Sequence, residues 1–166
     1  MKNLFIVFCL MFAVNAYAQI QSVTLQASGL TCSMCSRAIY KSLQKVPSVG
    51  KIQEDIEHSS YHIRFSDPAK ISLENLKKAV LDAGFSVAWM EVKVLVKNEE
   101  IASDSSLKFN GLVFQFVDIP KQMLNGEHSL LILDKDFILE KDRKKYPGSF
   151  EANKAEGIFH VTLLKS

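Results

Sequence analysis

The run Ser22-Val23-Thr24-Leu25-Gln26-Ala27-Ser28-Gly29-Leu30-Thr31-Cys32-Ser33-Met34-Cys35 opens on one backbone period and closes on another. Val23, Leu25 and Ala27 alternate with polar residues, the pattern of a half-buried strand. Gly29 breaks it, and Thr31 stands where a helix N-cap belongs. Cys35, Ile39, Leu43 and Val46 then recur at helical spacing and predict one buried face, with Pro47 ending the helix. Two cysteines separated by two residues therefore fall at a strand-to-helix junction.

Reading outward, the periods keep changing in a regular order. Ile52 and Ile56 are expected on one face of a weaker second strand, and residues His58 to Ser60 in a turn. Tyr61, Ile63 and Phe65 alternate as a third strand. Ser72 caps a second helix striped by Leu73, Leu76, Val80 and Ala83, and Gly84 takes the C-terminal cap position. Ala88, Met90, Val92, Val94 and Val96 form a fourth strand. This βαββαβ order predicts an α+β, ferredoxin-like sandwich of two helices on an antiparallel sheet.

Upstream, Lys2, the apolar run Leu4–Val14 and Ala16-Tyr17-Ala18 make a secretory signal peptide over residues 1–18, cut near Ala18. That run is too short for a mature transmembrane helix. Cys9 leaves with it, so Cys32 and Cys35 are the cysteines of an exported, periplasmic protein. The composition is that of a soluble globular chain. The net charge of +2 falls to +1 once Lys2 is removed. Such a balance argues against nucleic acid as a partner. The mixed cluster Lys141-Asp142-Arg143-Lys144-Lys145 reads as a solvated turn.

Gly29-Leu30-Thr31-Cys32-Ser33-Met34-Cys35 closely resembles the GMTCxxC loop of heavy-metal-associated domains, the family of copper chaperones, copper-pump arms and periplasmic mercury-binding proteins. Leu76 to Phe85 resembles that family's second-helix signature, which ends in Gly-Tyr or Gly-Phe. The resemblance covers about Ser22 to Val96. Leu30 stands where the family usually has a Met that packs under the loop. The resemblance also implies that Phe85, after Gly84, lies near the metal loop, where an apolar residue closes the core beneath the cysteines.

The ligand chemistry starts from position. A cysteine at a helix start meets unpaired N–H groups and the positive dipole end, which favour its thiolate. Two thiolates suit soft ions, Cu(I) first and Hg(II) second; Zn(II) and Cd(II) stay open, although closed zinc sites want four ligands. Met34 offers a weak thioether and is expected to point to solvent or pack. His58, His62, His128 and His160 are remote in sequence, and none is assigned as a ligand. No enzyme activity is expected. The expected role is a carrier that passes its ion by thiolate exchange to a partner metalloprotein or membrane metal transporter. Mercury capture, a thiol–disulfide oxidoreductase, an idle disulfide and a metal-free adaptor are the alternatives.

After Val96 the pattern changes. The domain expected over 19–97 is followed by a polar linker, 98–106, and a small all-β domain, 107–166, closing as a barrel or sandwich that could be OB-like. Leu107-Lys108-Phe109 and Leu112 to Phe116 form a hairpin across Asn110-Gly111. Asn125-Gly126 is expected to open a turn before Leu130 to Leu133. Phe137-Ile138-Leu139 and Ile158 to Leu164 supply further strands, and Pro147-Gly148 and Gly157 break the chain. Asp134-x-Asp136 reads as a turn rather than a calcium site, and His160 as a satisfied strand residue. Phe109, Phe114, Phe116, Phe137, Phe150 and Phe159 are expected in the core.

Overall fold

The computed structural model describes residues 19–30, 33–146 and 157–164. The expected signal peptide, Cys9, Thr31, Cys32, Pro147-Gly148 and Phe150 lie outside these residues. Strand β1 (Gln19–Ser28) leads to helix α1 (Ser33–Leu43), then β2 (Val49–Asp55), β3 (Ser60–Phe65), helix α2 (Leu73–Asp82) and β4 (Ser86–Ile101). The βαββαβ order is therefore present, with a 3₁₀ turn at Pro68–Lys70 before α2. Beyond it come β5 (Ser106–Phe109), β6 (Leu112–Phe116), β7 (Gln122–Ile132), the short helix α3 (Glu140–Arg143) and β8 (Ile158–Leu163).

Local chemistry accounts for the boundaries. Ser72 Oγ accepts the Asn75 N–H at 3.2 Å and caps α2. At the other end Gly84 has φ +89°, and the Phe85 N–H returns to the Val80 carbonyl at 3.2 Å, closing the helix through a left-handed residue. Leu73, Leu76, Ala79 and Val80 are the buried face. Two expectations change here. Ile56 is 62% exposed and lies in the turn beyond β2, so Val49 and Ile52 supply that strand's inward contacts. On α1 the buried stripe is Ser36, Ile39 and Leu43, and Cys35 is only partly covered.

Among the described residues, the strands expected in two domains form one eight-stranded sheet, β2-β3-β1-β4-β7-β8-β6-β5, antiparallel except for the β6–β8 pair. The linker expected at 98–106 is strand over its first four residues: β4 runs on to Ile101, and Glu99, Glu100 and Ile101 pair with Leu124, Met123 and Gln122 of β7. Polar composition signalled a boundary, but exposed strand residues are polar for the same reason linkers are. Asn125-Gly126 is not a turn either. It lies inside β7, where Gly126 has φ +93° and pairs with Val96 beside a register shift in β4. Phe137-Ile138-Leu139 is no strand; Ile138 makes single bridges to Trp89 and Lys135 before α3 begins. The expected Lys141–Lys145 turn is partly that helix, with Arg143 on Glu140 at 2.8 Å and Lys145 on Asp142 at 2.6 Å.

The Asn110-Gly111 hairpin matches expectation, with both residues at positive φ. Asn110 also shows that the sheet coils. Its Oδ1 accepts the Ile20 N–H at 2.7 Å, although β5 stands five strands from β1 in the ladder. Five flat steps would separate them by about 24 Å. Inside that coil one apolar cluster runs from Val23, Leu25 and Ile63 through Val92 and Val94 to Phe114, Phe159 and Val161. Phe137 joins it beneath α2, with Lys77 Nζ 4.5 Å above its ring. A smaller cluster, Leu131, Leu133 and Ile138 with Trp89 and Tyr146 against it, is distinct from this core.

Candidate metal-binding site

Strand register builds the site. Ser28 at the end of β1 pairs with Ser86 at the start of β4, which brings the Gly29-Leu30 exit beside Phe85 and the end of α2. Gly29, at φ +82°, turns the chain out of the sheet. Leu30 and Phe85 are partly buried and pack on the core. The helix then rises with Met34 76% exposed, Cys35 of intermediate exposure and Ser36 only 3% exposed. Successive helical residues are about 100° apart, so these three sample solvent, rim and core in order. Cys35 thus occupies the rim of the first turn, where the helix N-terminus favours an anionic sulfur.

Beneath the rim, Tyr61 of β3 is fully buried and its hydroxyl meets α1. It donates to the Ser36 carbonyl at 3.1 Å and is 2.9 Å from Ser36 Oγ. Burial holds the phenol above its usual range, partly offset by the Ser36 hydrogen bond. Sequence reading placed Tyr61 only as a core strand residue; an alternating aromatic gave no sign of a tie to the cysteine helix.

The histidines are dispersed, each with a local partner. His58 Nδ1 is 2.9 Å from Asp55 Oδ2 on the surface, which raises its pKa through that hydrogen bond and charge. His62 Nδ1 is 3.0 Å from Thr24 Oγ1; burial, then Arg64 and Lys93, lower its pKa. His128 Nε2 lies 3.2 Å from the Asn125 carbonyl. His160 is seated on Asp134 by its backbone N–H at 2.8 Å and its Nδ1 at 2.7 Å, while Asp136 lies in a tight turn at φ 68°. Among the described residues no three His, Cys, Asp or Glu side chains converge as a metal cluster. Two surface hollows, of about 280 and 430 Å³, are lined around Trp89 and Tyr146 and around Lys45 and Lys78, neither by Cys35. Cys35, of intermediate exposure, belongs to the rim of the first turn of α1.

Comparison with known proteins agrees with this geometry. The heavy-metal-associated domain pattern matches residues 24–86. The mercuric transport protein periplasmic component of Alcaligenes sp is 40% identical over 86 residues, 51% of this chain and 93% of that protein. Its counterpart from Shigella flexneri is 38% identical over the same share of each. Among solved structures, oxidized MerP from Ralstonia metallidurans CH34 is 38% identical, with 42% of this chain and 94% of that one covered and a TM-score of 0.39. The strand-loop-helix frame that carries Cys35, and the α2 ending at Gly84-Phe85, make this chain a member of the heavy-metal-associated domain family through residues 24–86.

Proposed function

We propose that the protein captures a soft, thiophilic metal ion in the periplasm through Cys32 and Cys35 and passes it to a membrane transporter or another metalloprotein. The observation that carries this reading is Cys35, set on the exposed rim of a helix first turn in a heavy-metal-associated frame. A thiolate pair there binds a two-coordinate ion. Transfer proceeds by exchange: an incoming thiolate forms a metal–sulfur bond, one of the two cysteines leaves, and a second exchange completes the hand-over. The ion is never released free, and the chain acts as a carrier rather than an enzyme. Oxidation to a Cys32–Cys35 disulfide removes both donors, so a reductant must act before loading. Among the described residues no helix is long and apolar enough to cross a membrane.

Relatives named for mercuric transport favour Hg(II) as the cargo. Cu(I) is the second reading, supported by the soft two-thiolate donor set; Met34, 76% exposed, points to solvent as expected and is not counted as a ligand. An oxidoreductase of the thioredoxin kind loses its frame, because β1 is flanked by antiparallel partners on both sides. The test is a competition titration of the reduced protein with Hg(II), Cu(I) and Zn(II). One Hg(II) or Cu(I) per chain is expected, with Zn(II) much weaker and binding collapsing in Cys32→Ser and Cys35→Ser. Equal affinity for Zn(II), or full binding by either variant, would refute the two-thiolate site.

A further inference from the structure

We propose that Tyr61 is a positioning residue for metal capture: its buried hydroxyl ties the first turn of α1 to β3 and fixes the rotation that leaves Cys35 on the rim. The proposal rests on the reading of Cys35 as a metal ligand. Helix α1 spans Ser33–Leu43 and has no acidic residue in its first turn to meet the dipole. A helix of this length is marginal on its own, and its ends fray first. Its start therefore depends on tertiary contacts, and below Cys35 the contact is polar. Tyr61 is 0% and Ser36 3% exposed. The phenol donates to the Ser36 carbonyl at 3.1 Å, and the Ser36 hydroxyl, at 2.9 Å, completes the pair by donating to the phenol oxygen.

The consequence is rotational. An apolar contact at Ser36 would tolerate a helix turned by tens of degrees, since dispersion has no direction. A two-bond tie between fixed partners does not, because hydrogen bonds weaken steeply off axis. Turning α1 by about 100°, one residue, would bring Cys35 to the position of Ser36 and bury its sulfur. Ile39 and Leu43, both fully buried further along the same face, hold the rest of the helix but lie beyond the first turn.

The experiment compares Tyr61→Phe, Ser36→Ala and the double variant in the reduced full chain. Three quantities are read: global stability in denaturant, amide exchange at Arg37–Tyr40 in the metal-free protein, and Hg(II) affinity by thiol competition. Tyr61→Phe should speed exchange at Arg37–Tyr40 and weaken Hg(II) binding, each by about tenfold, the worth of one to two buried hydrogen bonds. Exchange in β1 should change much less. The double variant, which removes both hydroxyls, should recover global stability but neither the slow exchange nor the affinity. Affinity that returns with stability in the double variant would make Tyr61 merely structural and overturn the proposal. So would unchanged exchange at Arg37–Tyr40. If Tyr61→Phe does not fold, Ser36→Ala reads the same exchange with one bond removed, under the same criteria. Absence of Hg(II) and Cu(I) binding by the unaltered protein would remove the metal reading, and the positioning role with it, whatever the exchange shows.

Discussion

Replacing Phe137 with alanine removes the ring that joins the family domain to the strands added after it. Phe137 is 1% exposed, meets Phe159 edge-on at 5.5 Å and 87°, and lies under Lys77 Nζ at 4.5 Å. Lys77 is itself held by Glu74 at 2.6 Å and is 16% exposed, so the ring is covered from the α2 side. Core Phe→Ala changes cost about 3–5 kcal/mol, void included. The edge-on pair and the cation above the ring, each about 1 kcal/mol, are parts of that figure and not additions to it. The lysine stem is flexible and can settle into some of the void, which places the expected loss near 3 kcal/mol. For a chain of this size that lowers Tm by roughly 6–12 °C. Urea unfolding followed by Trp89 fluorescence measures the loss, and native-state amide exchange locates it. Because one cluster spans Val23 to Val161, amides of Val23 and Ile63 should lose as much free energy as those of Phe114 and Val161. Wild-type protection in β1 and β3 beside lost protection in β6 and β8 would show that the continuous core transmits no stability across β4.

A fragment of residues 19–98 should fold and keep a soft-ion affinity close to that of the full chain, because relatives are 93% covered by an aligned length of 86 residues. It should melt lower than the parent, since Val92, Val94 and Val96 lose the β7 side of their cover; a fragment that folds without binding metal would mean the added strands complete the site. His62, with its folded pKa held below 6.5 by burial and by Arg64 and Lys93, favours the folded state above about pH 6.5 and loses that contribution as pH falls through the folded value. His58 has the opposite sign, its raised pKa adding stability below 6.5 that disappears as pH rises through the folded value. Denaturant midpoints between pH 4.5 and 7.5 should therefore fall less steeply on acidification in His62→Gln than in its parent, both carried in a His58→Gln background; parallel curves would refute the assignment.

The first half was legible because its signals are local. Alternation in Val23, Leu25 and Ala27, the Ser72 cap, the Gly84 stop and the Cys-x-x-Cys spacing each act within a few residues, and the βαββαβ order follows from them. The same kind of signal gave the Asn110-Gly111 hairpin and the turn at Asp134 to Phe137. What failed was local chemistry with two meanings. Gly126 carries the positive φ of a turn but uses it inside a strand, opposite an irregular stretch of β4. Asn98, Glu99 and Glu100 are polar because they are exposed on β4, as linker residues would be.

By itself the sequence determined the βαββαβ order of the first half and the placing of Cys35 just inside the helix that follows β1. Only the tertiary structure decided that β7 pairs with β4 and merges both halves into one coiled sheet, because pairing partners far apart in the chain leave no periodic trace in either strand. It also decided the rotation of α1. Helical spacing put Cys35 at the head of the inner stripe, but Ser36, about 100° away and equally small, heads it instead. The choice came from Tyr61, 25 positions further along, whose buried hydroxyl can be satisfied by Ser36 and so turns Cys35 outward to the rim.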